Sequence, residues 1–569
     1  MPRILTRPFA SETKQALEQH GVPPLLARLY AARGITEASD LAHELGTLLP
    51  FDSMMNAQAM AGILADAMRD GRRLLIVADY DADGATGCAV GVRALRTLGA
   101  TVDYLVPNRF DYGYGLTPEI VRLAAARKPD FIITVDNGIA SVEGVAEAKR
   151  LGIPVLVTDH HLPGDDLPDA LCIVNPNQAG CTFPSKSIAG VGVMFYLMLA
   201  LRAELRRRGA FASKAEPNLA QLLDLVALGT VADVVKLDRN NRVLVHQGLR
   251  RIRAGKASAL VTALFRAAGR DPLRAGTYDL GFVAGPRLNA AGRLKDMALG
   301  IDGLTTDDPT RAASIARQLD ALNRERREIE ADMQEAALAV LAHVRAGDSY
   351  SLALFDPDWH QGVIGILASR LKDRYHRPVI TFARGSNGEL KGSGRSIHGL
   401  HLRDALDLVS KRHPGLILRF GGHAAAAGLS IAEPRFADFA AAFEEMTRAL
   451  LTPADLEQEI ETDGSLAPED TTLDLAAHLE EQTWGQGFAA PLFDDMFAVV
   501  EQRIVGGKHL KLRLARGPHR FAAILFSRAE PLPDEIRAVY RLNVNEFNGA
   551  RSLQLNVEHW QAHTESPWT

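Results

Sequence analysis

Between residues 72 and 159 the chain alternates short apolar runs with helical stretches, and three of its four apolar runs stop on an aspartate. RRLLIVAD, TVDYLVP, FIITVD and IPVLVTD read as strands. Residues 84–98, 118–126 and 142–151 read as the helices between them. Strands this uniformly apolar must be covered on both sides, so the rhythm predicts a parallel sheet with helices on both faces. Asp79, Asp136 and Asp159 then fall at strand C-termini, the edge of an open α/β sheet where sites form.

The acids come in clusters. DYDADG carries Asp79, Asp81 and Asp83 on a strand-to-helix loop, with Gly84 permitting a tight turn. VDNG carries Asp136, and TDHH carries Asp159, His160 and His161. Carboxylates gathered in a partly dry cleft repel one another, and folding alone has no use for them, so a cation is expected. Oxygen ligands with one or two imidazoles suit manganese or magnesium, and such a centre suits attack on a phosphorus atom. A calcium loop starting at Asp79 would need a glutamate at its twelfth position, which is Val90. A capped, charged turn remains the other reading of DYDADG, and an ordinary strand-end turn the other reading of VDNG. Of the two histidines, one can bind metal and the other can reach a phosphate oxygen or the attacking water. Asp233, in LGTVADVV, is either a fourth carboxylate at the metals or a helix cap.

A chain of 569 residues predicts three or four domains. Cys88, Cys172 and Cys181 form no C-x-x-C pair, which argues against disulfides or a thiolate zinc site. The N-terminus has no apolar signal core, and the longest apolar run, 189–201, is too short for a bilayer. A cytoplasmic protein without a membrane segment is expected. The net charge of −5 argues mildly against a nucleic-acid binder. Its distribution argues the other way: residues 370–423 hold eleven Lys or Arg against four acids, and residues 453–475 hold eight acids and no Lys or Arg. These stretches are either a basic groove and an acidic linker or simply solvated faces.

The expected fold is α/β and multidomain. Residues 1–50 form a short helical extension, and residues 51–304 the parallel-sheet domain with its acids. Residues 305–347 form a long connector helix that starts at Asp307-Asp308-Pro309, with Ile315, Leu319, Leu322, Ile329 and Met333 at helical spacing. Residues 348–452 form a second α/β domain. Residues 453–569 hold the acidic linker and about five short strands, which suggest a small β-barrel with a hairpin at Gly506-Gly507.

The order DYDADG, VDNG, TDHH and ALGTVADVV resembles the DHH phosphoesterase superfamily. GPRLNAAGR, GSGRS and GGHAAAAG resemble the DHH-associated domain. With a terminal OB-like barrel, the full set resembles the superfamily's single-strand-specific 5′→3′ DNA exonucleases. The resemblance implies two divalent ions, Mn2+ or Mg2+. Asp81 would bind the first, with Asp79 beside it as ligand or one layer behind. Asp83, His160 and Asp233 would bind the second, and Asp136 would bridge both. His161 would contact the scissile phosphate or the water. Asp136 and His161 are thus the expected catalytic pair. The resemblance also implies a monomer acting on single-stranded DNA in repair and recombination, releasing nucleoside 5′-monophosphates, with a single-strand-binding protein and a helicase as partners by analogy.

For the substrate, VPNRFDYGYG offers Arg109, Tyr112 and Tyr114, where the guanidinium fork suits a phosphate. GPRLNAAGR offers Arg287, Asn289 and Arg293 among small residues. GSGRS sets Ser393 and Arg395 between glycines as a phosphate nest. GGHAAAAG sets His423 at an expected helix start, another anion site. Each could equally be a turn or cap. On the barrel, Arg503, Lys508, Lys511 and Arg513 lie near Phe521 and Phe526, which either stack on bases or fill the core. Two rival functions fit less of the chain: a superfamily enzyme for short oligonucleotides or cyclic dinucleotides, and a non-enzymatic single-strand DNA-binding scaffold.

Overall fold

A computed structural model describes residues 2–108, 115–342, 349–385, 388–547 and 549–562. It divides into two compact units, one of Leu5–Asp320 with Glu461–Thr569, the other of Met1–Ile4 with Ala321–Ile460. Arg109, Tyr112 and Tyr114 lie outside the described residues.

In the larger unit the four apolar runs and one further short strand, Cys172–Val174, form a five-stranded parallel sheet. Its order is Thr101–Leu105, Arg73–Ala78, Phe131–Val135, Val155–Thr158, Cys172–Val174. The first strand in sequence therefore lies between the second and third. The order reverses there, and the crevice beyond the C-termini of Arg73–Ala78 and Phe131–Val135 is where such sheets bind ligands. One face carries the helices Pro118–Ala126 and Val142–Arg150 over Leu75, Val77, Ile132, Val155 and Val157. Ala82–Leu98 and Gly190–Arg207 are buried along most of their lengths, as is Leu223–Ala232. Each such Val, Leu or Ile contributes about 1.5–3 kcal/mol by leaving water, so the core fixes the strand ends to which the acids are attached.

The five C-terminal strands close into a barrel in the order Phe493–Val505, His509–Arg516, His519–Leu525, Ala550–Ala562, Glu535–Phe547. Gly506 and Gly507, both at positive φ, turn the first hairpin. The acidic stretch 453–475, expected to be a linker, is built into the fold instead. Its Glu459–Thr462 is a strand paired with Arg3–Thr6, and Asp463 is buried against Arg33, both Nη atoms lying 2.8 Å from its oxygens. The acids are ordered because arginines from the N-terminal residues neutralise them. Arg242 also stacks on Phe488 at 4.4 Å, and Tyr30 packs on Trp484 and Phe488.

The smaller unit has a mixed sheet, ordered Arg419–Gly422, Ala426–Ala432, Glu389–Arg395, Val379–Arg384, Leu352–Phe355. Two expectations need correction here. GSGRS is not a nest: it lies on the strand Glu389–Arg395, where Gly392 and Gly394 leave room for Phe382, Leu429 and Leu402, while Ser393 and Arg395 point to the other face. GGHAAAAG is not a helix start: it is a β-hairpin with His423 in its turn, where the His423 N–H donates to Ala426 O. Pairing of Ala426–Ala432 with the neighbouring strand overrides the helix propensity of the alanine run, whose last two residues enter the strand. The connector helix runs Pro309–Ala342, about 51 Å at 1.5 Å per residue. It begins where Asp308 accepts the Thr310 N–H at 2.8 Å.

Candidate metal centre

Asp81 is the N-cap of Ala82–Leu98, accepting the N–H groups of Asp83 and Gly84 at 2.9 and 3.0 Å. Gly84 serves a close approach rather than a turn. A Cβ there would lie 2.5 Å from the Asp79 carbonyl oxygen, so any larger residue would push Asp79 away from Asp81. Asp83, in the first turn of the helix and fully buried, is held by a second helix: it accepts the N–H groups of Gly190 and Val191 at 2.6 and 2.8 Å. These donors open Gly190–Arg207, so the helix's positive end faces the carboxylate. Burial, and then Asp81, still push Asp83 up to about 7 against the pull of those amides.

Asp136 has a φ of 62°, a left-handed conformation that aspartate tolerates better than most residues. It is pinned by its N–H to Thr158 O at 3.1 Å. Gly190 packs against it so closely that a Cβ would meet the carboxylate at 2.7 Å. Burial, and then Asp83, Asp81, Asp233 and Asp79 in turn, hold Asp136 far above the ordinary carboxylate range. Asp233 ends Leu223–Ala232 and is raised in the same way, by burial first and then by its acidic neighbours.

His160 Nε2 faces Asp136 Oδ1 at 3.0 Å, Asp233 Oδ2 at 3.6 Å and Asp83 Oδ2 at 3.7 Å. Burial, and then His161, lower it to about 4, so it is a neutral imidazole at neutral pH. That buried Nε2 has no hydrogen-bond partner among the described residues. A neutral nitrogen aimed into buried, mutually repelling carboxylates is arranged as a ligand.

Three groups of donor atoms each lie within 4.8 Å of one another: Asp79, Asp81 and Asp136; Asp83, His160 and Asp233; Asp136, His160 and His161. The first two, with Asp136 next to both, are the arrangement expected of two ions. Oxygen donors with one imidazole suit Mn2+ or Mg2+.

Asp159 was not among the expected site residues. Its Oδ1 accepts the His161 ring Nδ1 at 2.7 Å and the N–H groups of His160 and His161 at 2.7 and 3.0 Å, while Oδ2 accepts the Ile139 N–H at 2.9 Å. Burial opposes its charge, yet the His161 bond keeps it below the ordinary range. Burial would likewise lower His161, but the bond to Asp159 raises it to about 9. Asn137 is a second such support, its amide donating to Val77 O and Val135 O. The Gly190 and Val191 amides had one sequence signal, the small residues IAGVG opening an apolar helix.

The expected substrate residues divide. Asn289 Oδ1 accepts the Ala82 N–H at 2.8 Å and so supports the DYDADG loop. Arg287 pairs with Asp320 at 2.9 Å. Arg293 lies one turn beyond Asn289 on Gly285–Leu294. In the smaller unit, Arg395 donates to Ser393 Oγ at 3.2 Å and to Gly394 O at 2.8 Å, and burial lowers its pKa. On the barrel, Arg503, Lys508, Lys511 and Arg513 are exposed, and Arg503 and Lys511 are cross-strand neighbours. The two phenylalanines separate: Phe521 is 9% exposed and in the core, Phe526 is 51% exposed.

A parallel sheet with a carboxylate–imidazole centre at its switch point, a second α/β unit and a barrel defines a DHH-type phosphoesterase. The sequence matches the DHH family N-terminal domain over residues 73–230, the DHHA1 domain over 347–449 and the RecJ OB domain over 462–559. The chain belongs to the RecJ family. It is 51% identical over 552 residues to the single-stranded-DNA-specific exonuclease RecJ of Escherichia coli, covering 95% of this chain and 96% of that one. Its fold matches the crystal structure of RecJ in complex with Mn2+ from Thermus thermophilus, with a TM-score of 0.82 and 31% identity over 99% of this chain and 80% of that one. The Mg2+ complex from the same organism matches with a TM-score of 0.76 and 29% identity, over 99% of this chain and 78% of that one. Among the described residues no helix is long and apolar enough to cross a membrane.

Proposed function

We propose that this chain is a metal-dependent exonuclease specific for single-stranded DNA, removing nucleoside 5′-monophosphates in the 5′→3′ direction during repair and recombination. The observation that carries this is two three-donor groups side by side, Asp79, Asp81 and Asp136 in one and Asp83, His160 and Asp233 in the other, with His160 Nε2 3.0 Å from Asp136 Oδ1. Asp79 and Asp81 would hold one ion and Asp83, His160 and Asp233 the other, with Asp136 available to both. The ions, when bound, supply Lewis-acid charge neutralisation and water activation for in-line phosphodiester hydrolysis. The residues do the positioning. Asp159 fixes the His161 ring through Nδ1 and keeps it protonated, so that its other N–H donates to a phosphate oxygen as negative charge grows there. Before substrate arrives, Asp83 is fixed by the Gly190 and Val191 amides, and Asp136 by its own N–H to Thr158 O. Ser393, Arg395 and His423 offer phosphate contacts on the smaller unit, and Lys508, Lys511 and Arg513 offer their charge to the strand on the barrel.

On this reading the enzyme works in the cytoplasm as a monomer, on strands opened by a helicase and covered by a single-strand-binding protein. Labelled single-stranded, duplex and cyclic substrates, each with Mn2+, Mg2+ or EDTA, test the proposal. Expected is release of mononucleotides from the 5′ end of single strands alone, abolished by EDTA. Release that persists in EDTA, or turnover of cyclic dinucleotides in preference to single strands, overturns it.

A further inference from the structure

Two aromatic rings lie open to water on a turn that packs against the helix ending in Asp233. Tyr278 and Phe282 stack with centroids 4.9 Å apart at an interplanar angle of 23°. They are 60% and 69% exposed. Single exposed apolar residues are ordinary, but two rings stacked on each other in solvent form a prepared flat surface. They project from an unusual piece of backbone: the helical turn Thr277–Asp279 runs into a π-helical turn, Leu280–Ala284, and then into Gly285–Leu294. A π-turn rotates the side chains relative to a regular helix and is frequent at functional sites. Here Leu280, Val283 and Ala284 are buried beneath, and the two rings are left outside.

Their place in the larger unit gives them a partner. On one side the π-turn rests on the helix that ends in Asp233: a Cβ at Gly281 would lie 3.3 Å from Val231 Cγ1, and one at Gly285 3.1 Å from Ala232 Cβ. Val234, just beyond that ligand, is exposed and held at a φ of 62°, strained for a β-branched residue. Further along, Asn289 supports the loop of Asp81 and Asp83. On the other side Arg253 joins Ala275 O at 2.8 Å to Glu481 O at 3.3 Å. Glu480 in turn accepts the Val544 N–H at 2.8 Å on a barrel strand, and Arg274 pairs with Glu546 there. The segment that carries the ring pair thus packs on one side against the helix ending in Asp233 and is tied on the other to the barrel.

We propose that Tyr278 and Phe282 are a stacking station for unpaired bases of the single strand on its way from barrel to metal centre. This rests on the function proposed above. Rings suit the task because every base has a flat face, so stacking holds a strand without reading its sequence, whereas a paired base has no free face to offer. The double variant Tyr278→Ala/Phe282→Ala should raise KM for a long single strand about tenfold, the effect of one lost stack. It should leave kcat unchanged, and leave KM unchanged for an oligonucleotide too short to extend beyond the cleft. In the Asp136→Ala background with Mn2+, 2-aminopurine at successive positions should be quenched at one or two adjacent sites, and the double variant should restore its fluorescence there. Tyr278→Leu/Phe282→Leu keeps apolar bulk without rings and should behave like the alanine pair, while Phe282→Tyr should retain wild-type KM. Equal loss on short and long strands, or an unchanged KM with unchanged quenching, overturns the station. Wild-type enzyme inert on single strands would instead overturn the function on which it rests.

Discussion

Asp159 Oδ1 lies 2.7 Å from His161 Nδ1, and this one bond sets both the direction and the charge of the imidazole beside Asp136. It makes Asp159 a positioning residue, set one layer behind the expected ligands. Asp159→Asn keeps the shape but removes the charge that holds the His161 proton. We expect kcat/KM on a labelled single strand to fall about tenfold to a hundredfold, as for other supports of metal-site ligands. Wild-type kinetics in this variant would mean that His161 needs no such support.

Asp136 belongs to the donor group of Asp79 and Asp81 and lies 3.0 Å from His160 Nε2 of the other group, so its loss should disturb both ion sites. Asp136→Ala should abolish nucleotide release while leaving affinity for a single strand largely intact, since the strand contacts lie elsewhere. Gel-shift titration and a mononucleotide release assay on the same preparation separate the two effects. Residual activity above a few per cent of wild type would count against a shared ligand.

Stability should depend on pH through the same acids. Without metal, Asp83 titrates near 7 in the fold against 3.8 ordinarily, and Asp136 and Asp233 are also raised. The fold therefore keeps protons that the unfolded chain has already released, and metal-free stability falls as pH rises from 3.8 towards about 7. Divalent ions replace those protons and remove the penalty. Thermal melting in EDTA and in Mn2+ should show a gap that widens with pH. A gap independent of pH would mean that the acids are already ionised without metal.

Arg395 is held in place by Gly394 O and Ser393 Oγ, with its guanidinium on the face of the strand that Ser393 shares. Arg395→Ala should weaken single-strand binding and reduce the slope of log affinity against log salt by about one. An unchanged slope in a salt titration excludes a phosphate contact.

The barrel cannot be cut away cleanly, because Asp463 and Arg33 form a buried ion pair between the segment leading into it and an N-terminal helix. Asp463→Ala leaves the Arg33 charge buried without its carboxylate, and we expect a loss of about 3–5 kcal/mol. Urea unfolding measures it. A loss below about 1 kcal/mol, the range of exposed pairs, would show that water reaches Arg33.

What the sequence determined by itself is local. Four apolar runs of strand length dictated the parallel sheet, and aspartates at their ends put acids on one edge. DYDADG and TDHH announced a metal because so many carboxylates and imidazoles have no use in a core. The barrel strands and connector helix showed in their periodicity. Tertiary structure decided the rest, because it depends on what arrives from far along the chain. Asn289 supports Ala82 rather than substrate, and the amides of residues 190 and 191 grip Asp83. Two of the four alanines of GGHAAAAG, Ala426 and Ala427, joined a strand because a neighbouring strand was there to pair with them. An acidic stretch became an ordered segment because Arg33 met Asp463. Periodicity and residue type act over a few neighbours, whereas hydrogen bonds, ion pairs and strand pairing are decided only once distant segments share a core.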